Sequence, residues 1–392
     1  MRRGCGVAIV CRVRQIVIVG IPDSKVAGGS DKGFLMKVLG IETSCDETAA
    51  SVVTDSRDIL SNEVHTQLEE HRPYGGVVPE VAARAHLDTI GPIVTAAMSK
   101  ANIRYQDLAA VAATGGPGLI GGVLVGVMTA KAIASVHNIP FIAVNHLEGH
   151  ALTVRLTGDR NGELVSFPYL LLLVSGGHCQ LLIVEGAGRY KRLGTTIDDA
   201  LGEAFDKSAK MMGLGYPGGP AVERYAKHGD ADRFDLPRPL RRRAGCDFSF
   251  SGLKTRVRQT IENLPPGPVS EQDKSDLCAS FQKAVGDVLA DRCANAIDIF
   301  LATYPTSRTL VVAGGVAANL HLRQRLTEVA GERGLHLVAP PVHLCTDNAA
   351  MIAWAGIERL QAGGSDPLNF RPRPRWPLDA DAHSVTGAGN TA

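Results

Sequence analysis

Two stretches of the chain follow the same order of apolar and polar segments, and this repetition restricts the fold to a duplicated one. Each stretch begins with two short apolar segments joined by a turn of polar or small residues, which is typical of a β-hairpin. The first pair of segments lies at 38–41 and 49–53, and the second lies at 169–174 and 180–184. A plan that recurs within one chain indicates two structurally similar units.

After each hairpin the chain continues in the same way again, with an apolar strand, a pair of glycines and a helix. The strands are predicted at 108–113 and 309–313, and the helices at 119–136 and 320–330. Backbone amides at glycine turns and helix starts bind phosphate or carboxylate groups. We therefore predict an α/β fold of two duplicated lobes, the actin-like and sugar-kinase-like ATPase architecture, with a ligand in the cleft between the lobes.

The predicted domain limits follow from this plan. We predict a first lobe at 36–150 and a second lobe at 151–360, with a largely helical insertion at about 195–304. Residues 1–35 contain arginines, a short apolar run and a polar linker. We expect them to be a disordered or dispensable extension from an upstream start codon, with a transit peptide as the alternative. Residues 361–392 are expected to form a loose tail.

Composition excludes several classes of protein. The net charge of +1 gives no global attraction to polyanions, so binding of nucleic acid requires a local basic patch. The eight cysteines are scattered without a C-x-x-C pair. This argues against a disulfide framework or a cysteine zinc site and favours a cytoplasmic protein. No apolar run approaches the roughly 18 residues of a membrane span, so no membrane attachment is expected.

Basic residues gather within the predicted insertion. Such a cluster is suited to contacts with RNA phosphates, which position a nucleic acid without reading its sequence. A solvated surface is the alternative interpretation of the same charges. The cluster consists of Arg238, Arg241, Arg242, Arg243, Lys254, Arg256 and Arg258.

His146 and His150 are candidate metal ligands because residues four apart lie on one face of a helix. Neutral imidazoles suit zinc or ferrous iron. The segment does not match the zinc-protease motif H-E-x-x-H, since Glu148 stands one position too late. With 12 histidines in the chain the spacing alone is weak evidence, and a third ligand is required. Asp347, which precedes an apolar helix assigned to the second lobe, is the candidate, with capping of that helix as its alternative role.

Nine motifs occur in order between residues 36 and 356. They are LGIETSCDET (39–48), GGVVPE (75–80), GPGL (116–119), NHLEGH (145–150), VSGGH (174–178), DDALGEAFDK (198–207), YPGGP (216–220), FSFSGLK (248–254) and GGVAAN (314–319). In this order they resemble the TsaD family, the tRNA N6-adenosine threonylcarbamoyltransferases, which were once described as O-sialoglycoprotein endopeptidases. The match over most of the chain is far more specific than any one of the motifs.

The resemblance implies a set of site residues. His146, His150 and Asp347 correspond to the ligands of one divalent metal ion per subunit, with iron and zinc both left open. Asp46 and Glu47 correspond to acids that assist catalysis. Residues that hold the donor, threonylcarbamoyl-AMP, correspond to Leu173, Val174, Ser175, Gly176, Gly177, Asp206, Gly219, Asn319 and Glu223, the last at a position where many relatives carry aspartate.

The resemblance also implies the reaction. The threonylcarbamoyl group would pass from its adenylate to N6 of adenosine 37 in tRNAs that read codons starting with A, and AMP would leave. The metal would polarise the carbonyl as a Lewis acid. Asp46 or Glu47 would accept a proton, with hydrogen bonding within the hairpin tip as the alternative role of both. Expected partners are tRNA and, in a bacterium, TsaB-like and TsaE-like proteins.

Three other functions remain open from the residues alone. A small-molecule kinase or ATPase of the same fold would transfer phosphoryl groups and would give His146 and His150 no role. A metallopeptidase would require a general-base glutamate at the usual offset, which is missing from the motif. A subunit that only binds tRNA would keep the basic cluster and would tolerate loss of the histidines.

Overall fold

The computed structural model describes residues 35–74 and 76–382. The predicted extension at 1–35 lies outside the described residues except for Leu35, and so do residues 383–392 of the predicted tail. Within the described part, six cysteines are present and all six are free thiols, at positions 45, 179, 246, 278, 293 and 345.

The first sheet has five strands in the order β3-β2-β1-β4-β5. The strands are β1 (Lys37–Glu42), β2 (Glu47–Thr54), β3 (Ile59–Thr66), β4 (Ala110–Gly116) and β5 (Phe141–Asn145). Strands β1, β2 and β3 pair antiparallel, whereas β4 and β5 extend the sheet parallel to β1. The helices in this part of the chain are α1 (Leu68–His71), α2 (Pro79–Ala101), α3 (Ile120–His137) and α4 (His146–Thr157).

The second sheet repeats this arrangement, with the order β10-β9-β6-β7-β8. Its strands are β6 (Tyr169–Val174), β7 (Cys179–Gly186), β8 (Arg189–Thr195), β9 (Thr309–Ala313) and β10 (His336–Val338). Strands β6, β7 and β8 are again antiparallel, and β9 and β10 are again parallel to β6. The matching topology is the duplication that the sequence predicts.

Helices fill the region between β8 and β9, where the helical insertion was predicted. They are α5 (Leu201–Met211), α6 (Gly218–Ala226), α7 (Ser251–Glu262) and α8 (Glu271–Thr303). Two further helices follow β9, namely α9 (Leu320–Glu332) and α10 (Ala349–Gln361). Short 3₁₀ turns lie at Arg72–Tyr74, Tyr105–Asp107, Gly315–Ala318 and Val342–Leu344.

The inner strands of each sheet are covered on both faces, which explains their continuous apolar runs. In the first sheet, Leu39 and Ile41 of β1 face α2 and α3, while Val38 faces α10. Helix α4 lies between the two sheets: one side contacts α10, and Leu147 on the other side packs with β6 and β9. The helix that carries both candidate histidines is therefore held by both lobes.

The position of α10 differs from the prediction. It was assigned to the second lobe by its place in the chain, but it packs on the first sheet, against β1, β2, β4 and β5. Alternate strand residues such as Val38 and Ala112 bury its apolar residues, including Ile352 and Ala353. This return to the first lobe brings Asp347, just before α10, next to α4.

Helix α3 is long and apolar enough, by length and composition alone, to cross a membrane. This differs from the expectation that no run of the chain reaches that length. One face of α3, with Val123, Val127 and Ala130, belongs to the core that covers β1. Packing of this kind is also found in the core helices of globular proteins, so the helix is weak evidence for a membrane span.

The expectation of a loose tail from residue 361 is wrong for its described part. The Asp366 carboxylate accepts a hydrogen bond from the Ala143 amide of β5 at 2.9 Å. The rings of Phe370 and Trp376 pack on the core of the first lobe. The segment covers β5, which would otherwise be an open edge of the sheet. This hydrogen bond and the two aromatic rings together dock the segment on the first lobe.

We expect Phe370→Ala to lower the free energy of unfolding by about 1–3 kcal/mol. Fully buried phenylalanines lose roughly 3–5 kcal/mol on truncation, and this ring is only partly buried. Denaturant titration measures the difference. Leu368→Ala is the control, because this side chain on the same segment is 51% exposed and its truncation should change stability by less than about 0.5 kcal/mol. Equal losses in the two variants would contradict the docked arrangement.

Candidate metal centre and donor cleft

His146 and His150 lie in the first two turns of α4, directly after β5. The Asn145 side chain caps this helix by accepting a hydrogen bond from the Leu147 amide at 2.9 Å. The two imidazole rings are 4.8 Å apart between centroids. Gly149 does not interrupt the helix, and a Cβ at this position would lie 2.9 Å from Ile352 Cδ1. The glycine therefore allows α4 to approach α10 closely.

Asp347 completes the group. Its Oδ1 lies 3.0 Å from His150 Nε2 and 3.5 Å from His146 Nε2. One ligand atom from each of the three residues lies within 4.8 Å of the others. The capping role considered for Asp347 belongs to its neighbour Asn348, whose Oδ1 accepts a hydrogen bond from the Met351 amide. Asp347 is thus available to both histidines.

Glu42, at the end of β1, is a site residue that the sequence reasoning missed. Its Oε2 lies 2.9 Å from His146 Nδ1, and Thr114 donates a hydrogen bond to the same carboxylate. An ionised carboxylate only accepts, so His146 Nδ1 carries a hydrogen, and Nε2 is the ring nitrogen that faces Asp347 and could bind an ion in place of a proton. The sequence feature that could have identified Glu42 is its position as an acid at the end of an apolar strand, within the motif LGIETSCDET.

Electrostatics favour positive charge at this position. Burial alone would lower the pKa of His146, but Asp347 and Glu42 raise it to about 9. Burial would likewise raise the pKa of Asp347, yet the imidazoles of His146 and His150 hold it well below its usual range. Two imidazoles and a carboxylate fit zinc or ferrous iron and leave coordination positions for a substrate. The donor set, its burial and the tautomer of His146 all suit a divalent cation.

Asp46 and Glu47 lie at the tip of the first hairpin. The pKa of Glu47 is raised well above its usual value by burial first, and then by the charges of Asp347 and Asp46. On the second lobe, burial raises the pKa of Asp206, and Asp46 raises it further. The charges at the hairpin tip are therefore coupled to Asp347 and to Asp206 of helix α5.

The predicted donor loop follows β6. The side chains of Leu173 and Val174 are fully buried, which leaves their backbone for any ligand contact. The Ser175 carbonyl accepts a hydrogen bond from the Gly202 amide at the start of α5, and a Cβ on Gly202 would lie 2.7 Å from Gly176 Cα. Gly314, with φ +92°, approaches the Val174 carbonyl just as closely. Glycines thus allow three backbone segments to meet beside the loop.

The other predicted donor residues join α5, α6 and α9. Asp206 accepts a hydrogen bond from the Gly218 amide at 2.7 Å, next to Gly219 at the start of α6. Glu223 accepts from the Leu320 amide at 2.8 Å. Asn319 caps α9 and donates to Gln282 of α8 at 3.0 Å. Gln282 was not predicted, because a polar residue in a long helix gives no distinctive signal.

The basic cluster is only partly free of acidic partners. Arg238 pairs with Asp287, Lys254 with Asp199, and Arg258 with Glu262. The exposed side chains of Arg241, Arg243 and Arg256 have no ion pair within the described part of the chain. The uncompensated charge is therefore smaller than the sequence suggests.

Comparison with known proteins identifies the family. The model of the family "TsaD: tRNA N6-adenosine threonylcarbamoyltransferase" matches residues 58–354. A protein of Rhodospirillum rubrum with this activity as its name is 67% identical over 358 residues, which is 90% of this chain and 98% of the relative. The chain belongs to the TsaD family. A second relative of the same name, from Paramagnetospirillum magneticum, is 63% identical over 88% of this chain and 98% of its own length.

TsaD membership confirms the family, the transferase class and the tRNA modification predicted from the sequence. The fold class is also confirmed. The structure of T. kodakarensis HypF superposes with a TM-score of 0.54 at 15% identity, over 84% of this chain and 48% of that one. At this identity the likeness concerns the fold alone.

Proposed function

We propose that the chain holds one divalent ion at His146, His150 and Asp347, beside bound threonylcarbamoyl-AMP, and transfers the threonylcarbamoyl group to N6 of adenosine 37. The observation that carries this proposal is the grouping of the three ligand atoms within 4.8 Å of one another. The Glu42 carboxylate supports it by fixing the tautomer of His146. The identity of the ion, iron or zinc, stays open.

The reaction forms a bond between N6 and the carbamoyl carbon and breaks the bond from that carbon to the phosphate oxygen. A bound ion would supply Lewis-acid polarisation of the carbonyl. We assign Glu47 as the acceptor of the N6 proton because burial, and then the charge of Asp347, raise its pKa and make it a stronger base. Asp46, whose charge raises the pKa of Asp206, would orient the donor.

The donor would lie along the second lobe. Backbone amides of Ser175, Gly176 and Gly177 are suited to its phosphate, since no side chain on the two glycines blocks a close approach. Asp206, Gly219, Glu223 and Asn319 would hold the adenosine end, and AMP would leave along the same surface. Leu173 and Val174 would contribute their backbone only.

The tRNA would contact Arg241, Arg243 and Arg256, which are exposed and lack acidic partners within the described residues. Such contacts hold phosphates without reading sequence. We further propose a cytoplasmic location, and TsaB-like and TsaE-like partners if the source is bacterial.

A reconstituted reaction tests the proposal. Purified protein, threonylcarbamoyl-AMP and a tRNA that reads an A-starting codon are expected to give modified adenosine and one AMP per modification. Treatment with a chelator should stop the reaction, and added iron(II) or zinc should restore it. Product formation that is unchanged in metal-free protein would remove the ion from the proposed site. If product forms only when a TsaB-like or TsaE-like protein is added, that protein is identified as a partner.

A further inference from the structure

A buried hydrogen-bond chain runs from the start of α2 to the tip of the first hairpin. Its side chains are His71, Gln67 and His86, and all three are inaccessible to solvent. None of them has a role in the proposed reaction. The chain begins at Val78, within the motif GGVVPE, to which the reaction also assigns no role.

Every hydrogen bond in this series has a defined donor and acceptor, and all of them point from Val78 towards Cys45. The Val78 amide can only donate, and it lies 3.3 Å from His71 Nδ1. His71 Nε2 therefore carries the hydrogen and donates to Gln67 Oε1 at 3.2 Å. The Gln67 amide group then donates to His86 Nδ1 at 3.2 Å. His86 Nε2 in turn donates to the Cys45 carbonyl at 3.1 Å. The two backbone ends thus fix both tautomers.

Neighbouring contacts reinforce this direction. The Thr48 hydroxyl lies 2.8 Å from His86 Nδ1 and donates to the same acceptor. The Gln67 amide of the backbone donates to the Asp46 carbonyl at 2.9 Å. Gln67 is therefore bound to the hairpin tip directly and also through His86. A Cβ on Gly122 of α3 would lie 2.9 Å from His86 Nε2, so the glycine at this position gives the ring the room that it occupies.

We propose that His86 and Gln67 are positioning residues that hold the hairpin tip so that Asp46 and Glu47 face the metal ligands and the donor. The proposal rests on the roles assigned to these two acids above. The His86 ring fixes the carbonyl of residue 45, the backbone amide of residue 67 fixes that of residue 46, and the Gln67 side chain holds the His86 ring, so that together they set the backbone that leads into Glu47. On this proposal, the segment around Val78 has a role as well: its backbone amide is the first donor of the hydrogen-bond chain.

Two variants of His86 distinguish a positioning role of its hydrogen bonds from an effect of its side-chain volume. His86→Leu removes the donor to the Cys45 carbonyl and should lower kcat about 10- to 100-fold, since small misplacements of reacting groups cost up to about 100-fold. KM for tRNA and donor, and the metal content, should stay near the wild-type values. His86→Gln places an amide donor near the position of Nε2 and should restore most of kcat.

Gln67→Glu provides a test that keeps the size of the side chain. A carboxylate cannot donate to His86 Nδ1, so the one-way chain is broken. In ¹⁵N spectra of histidine-labelled protein, His71 and His86 should both carry hydrogen on Nε2, and the His86 signal should change in this variant together with a fall in kcat. Ser51→Ala is the control: this buried hydroxyl of β2 donates to the Ser61 carbonyl and does not touch the tip. It should keep kcat.

The proposal is overturned if folded His86→Leu retains wild-type kcat, or if His86 carries its hydrogen on Nδ1. If His86→Leu does not fold, the kcat of Gln67→Glu and the tautomer spectrum decide. If wild-type protein shows no transfer even with TsaB-like and TsaE-like proteins added, the proposed function fails, while the spectrum still tests the direction of the hydrogen bonds.

Discussion

Replacing His150 with alanine is expected to abolish metal binding and to lower the transfer rate at least about 100-fold. His150 is the ligand closest to Asp347, at 3.0 Å, and its loss leaves only His146 and Asp347 for the ion. Lewis-acid activation contributes several kcal/mol to catalysis, and each 1.4 kcal/mol corresponds to a factor of ten in rate. Metal analysis of the purified variant and single-turnover transfer assays measure the two effects.

His137→Ala is the matched control for this variant. His137 ends α3 and stacks on Tyr105, away from the candidate ligands. Its replacement should leave both the metal content and the transfer rate near those of the wild type. Asp347→Ala should behave like His150→Ala because it removes another member of the same group. Full metal content and activity in His150→Ala would mean that the ion lies elsewhere.

Glu47→Gln is expected to lower kcat by about 10²- to 10⁴-fold, the range of general-base contributions. The amide has nearly the same shape but cannot accept the N6 proton. The metal content should not change, because Glu47 is not among the three ligands. In the wild type the base acts only when deprotonated. Since its pKa is raised, kcat should increase as the pH rises through that pKa, and this limb should be missing in Glu47→Gln.

Two further substitutions show whether the effect is specific. Asp46→Asn should raise KM for the donor more than it lowers kcat, because the charge of Asp46 acts on Asp206, a candidate donor-binding residue. Glu63→Gln on the neighbouring strand removes an acid that pairs with exposed Lys100 and should leave the kinetics unchanged. If Glu47→Gln retained the pH profile and kcat of the wild type, the proton would have another acceptor.

Strands β1, β2, β4, β6, β7 and β9 were predictable because they are short, apolar and buried, whereas β3, β5, β8 and β10 were not predicted. The predicted segment 169–174 coincides with β6, and 38–41 falls within Lys37–Glu42. The repeated plan also predicted which strands are equivalent. Such features depend on neighbours along the chain, which is why the sequence alone carries them.

Features that depend on distant contacts were less predictable. The apolar residues of α10 are compatible with either sheet, and only the packing of Ile352 and Ala353 places the helix on the first one. Glu42 is 104 positions from His146, so its pairing leaves no local pattern. The docked segment around Phe370 and Trp376 is mostly polar. With so few apolar side chains, its composition resembles that of an unstructured tail.

For the candidate site, the spacing of His146 and His150 and the place of Asp347 before an apolar helix were sufficient to select the three residues that the structure brings together, and their binding of an ion stays a prediction. The donor residues lie in one continuous region, although their contact with a ligand stays a prediction. The one-way chain through His71 and His86 could not be predicted, because it depends on the tautomers of two buried rings.

Anomalous scattering from a crystal of the metal-loaded protein tests the central claim most directly. We expect one peak at the absorption edge of the bound metal, bonded at about 2.0–2.2 Å to His146 Nε2, His150 Nε2 and an oxygen of Asp347. A peak bonded to other residues in transfer-competent protein, or no peak at all, would contradict the account.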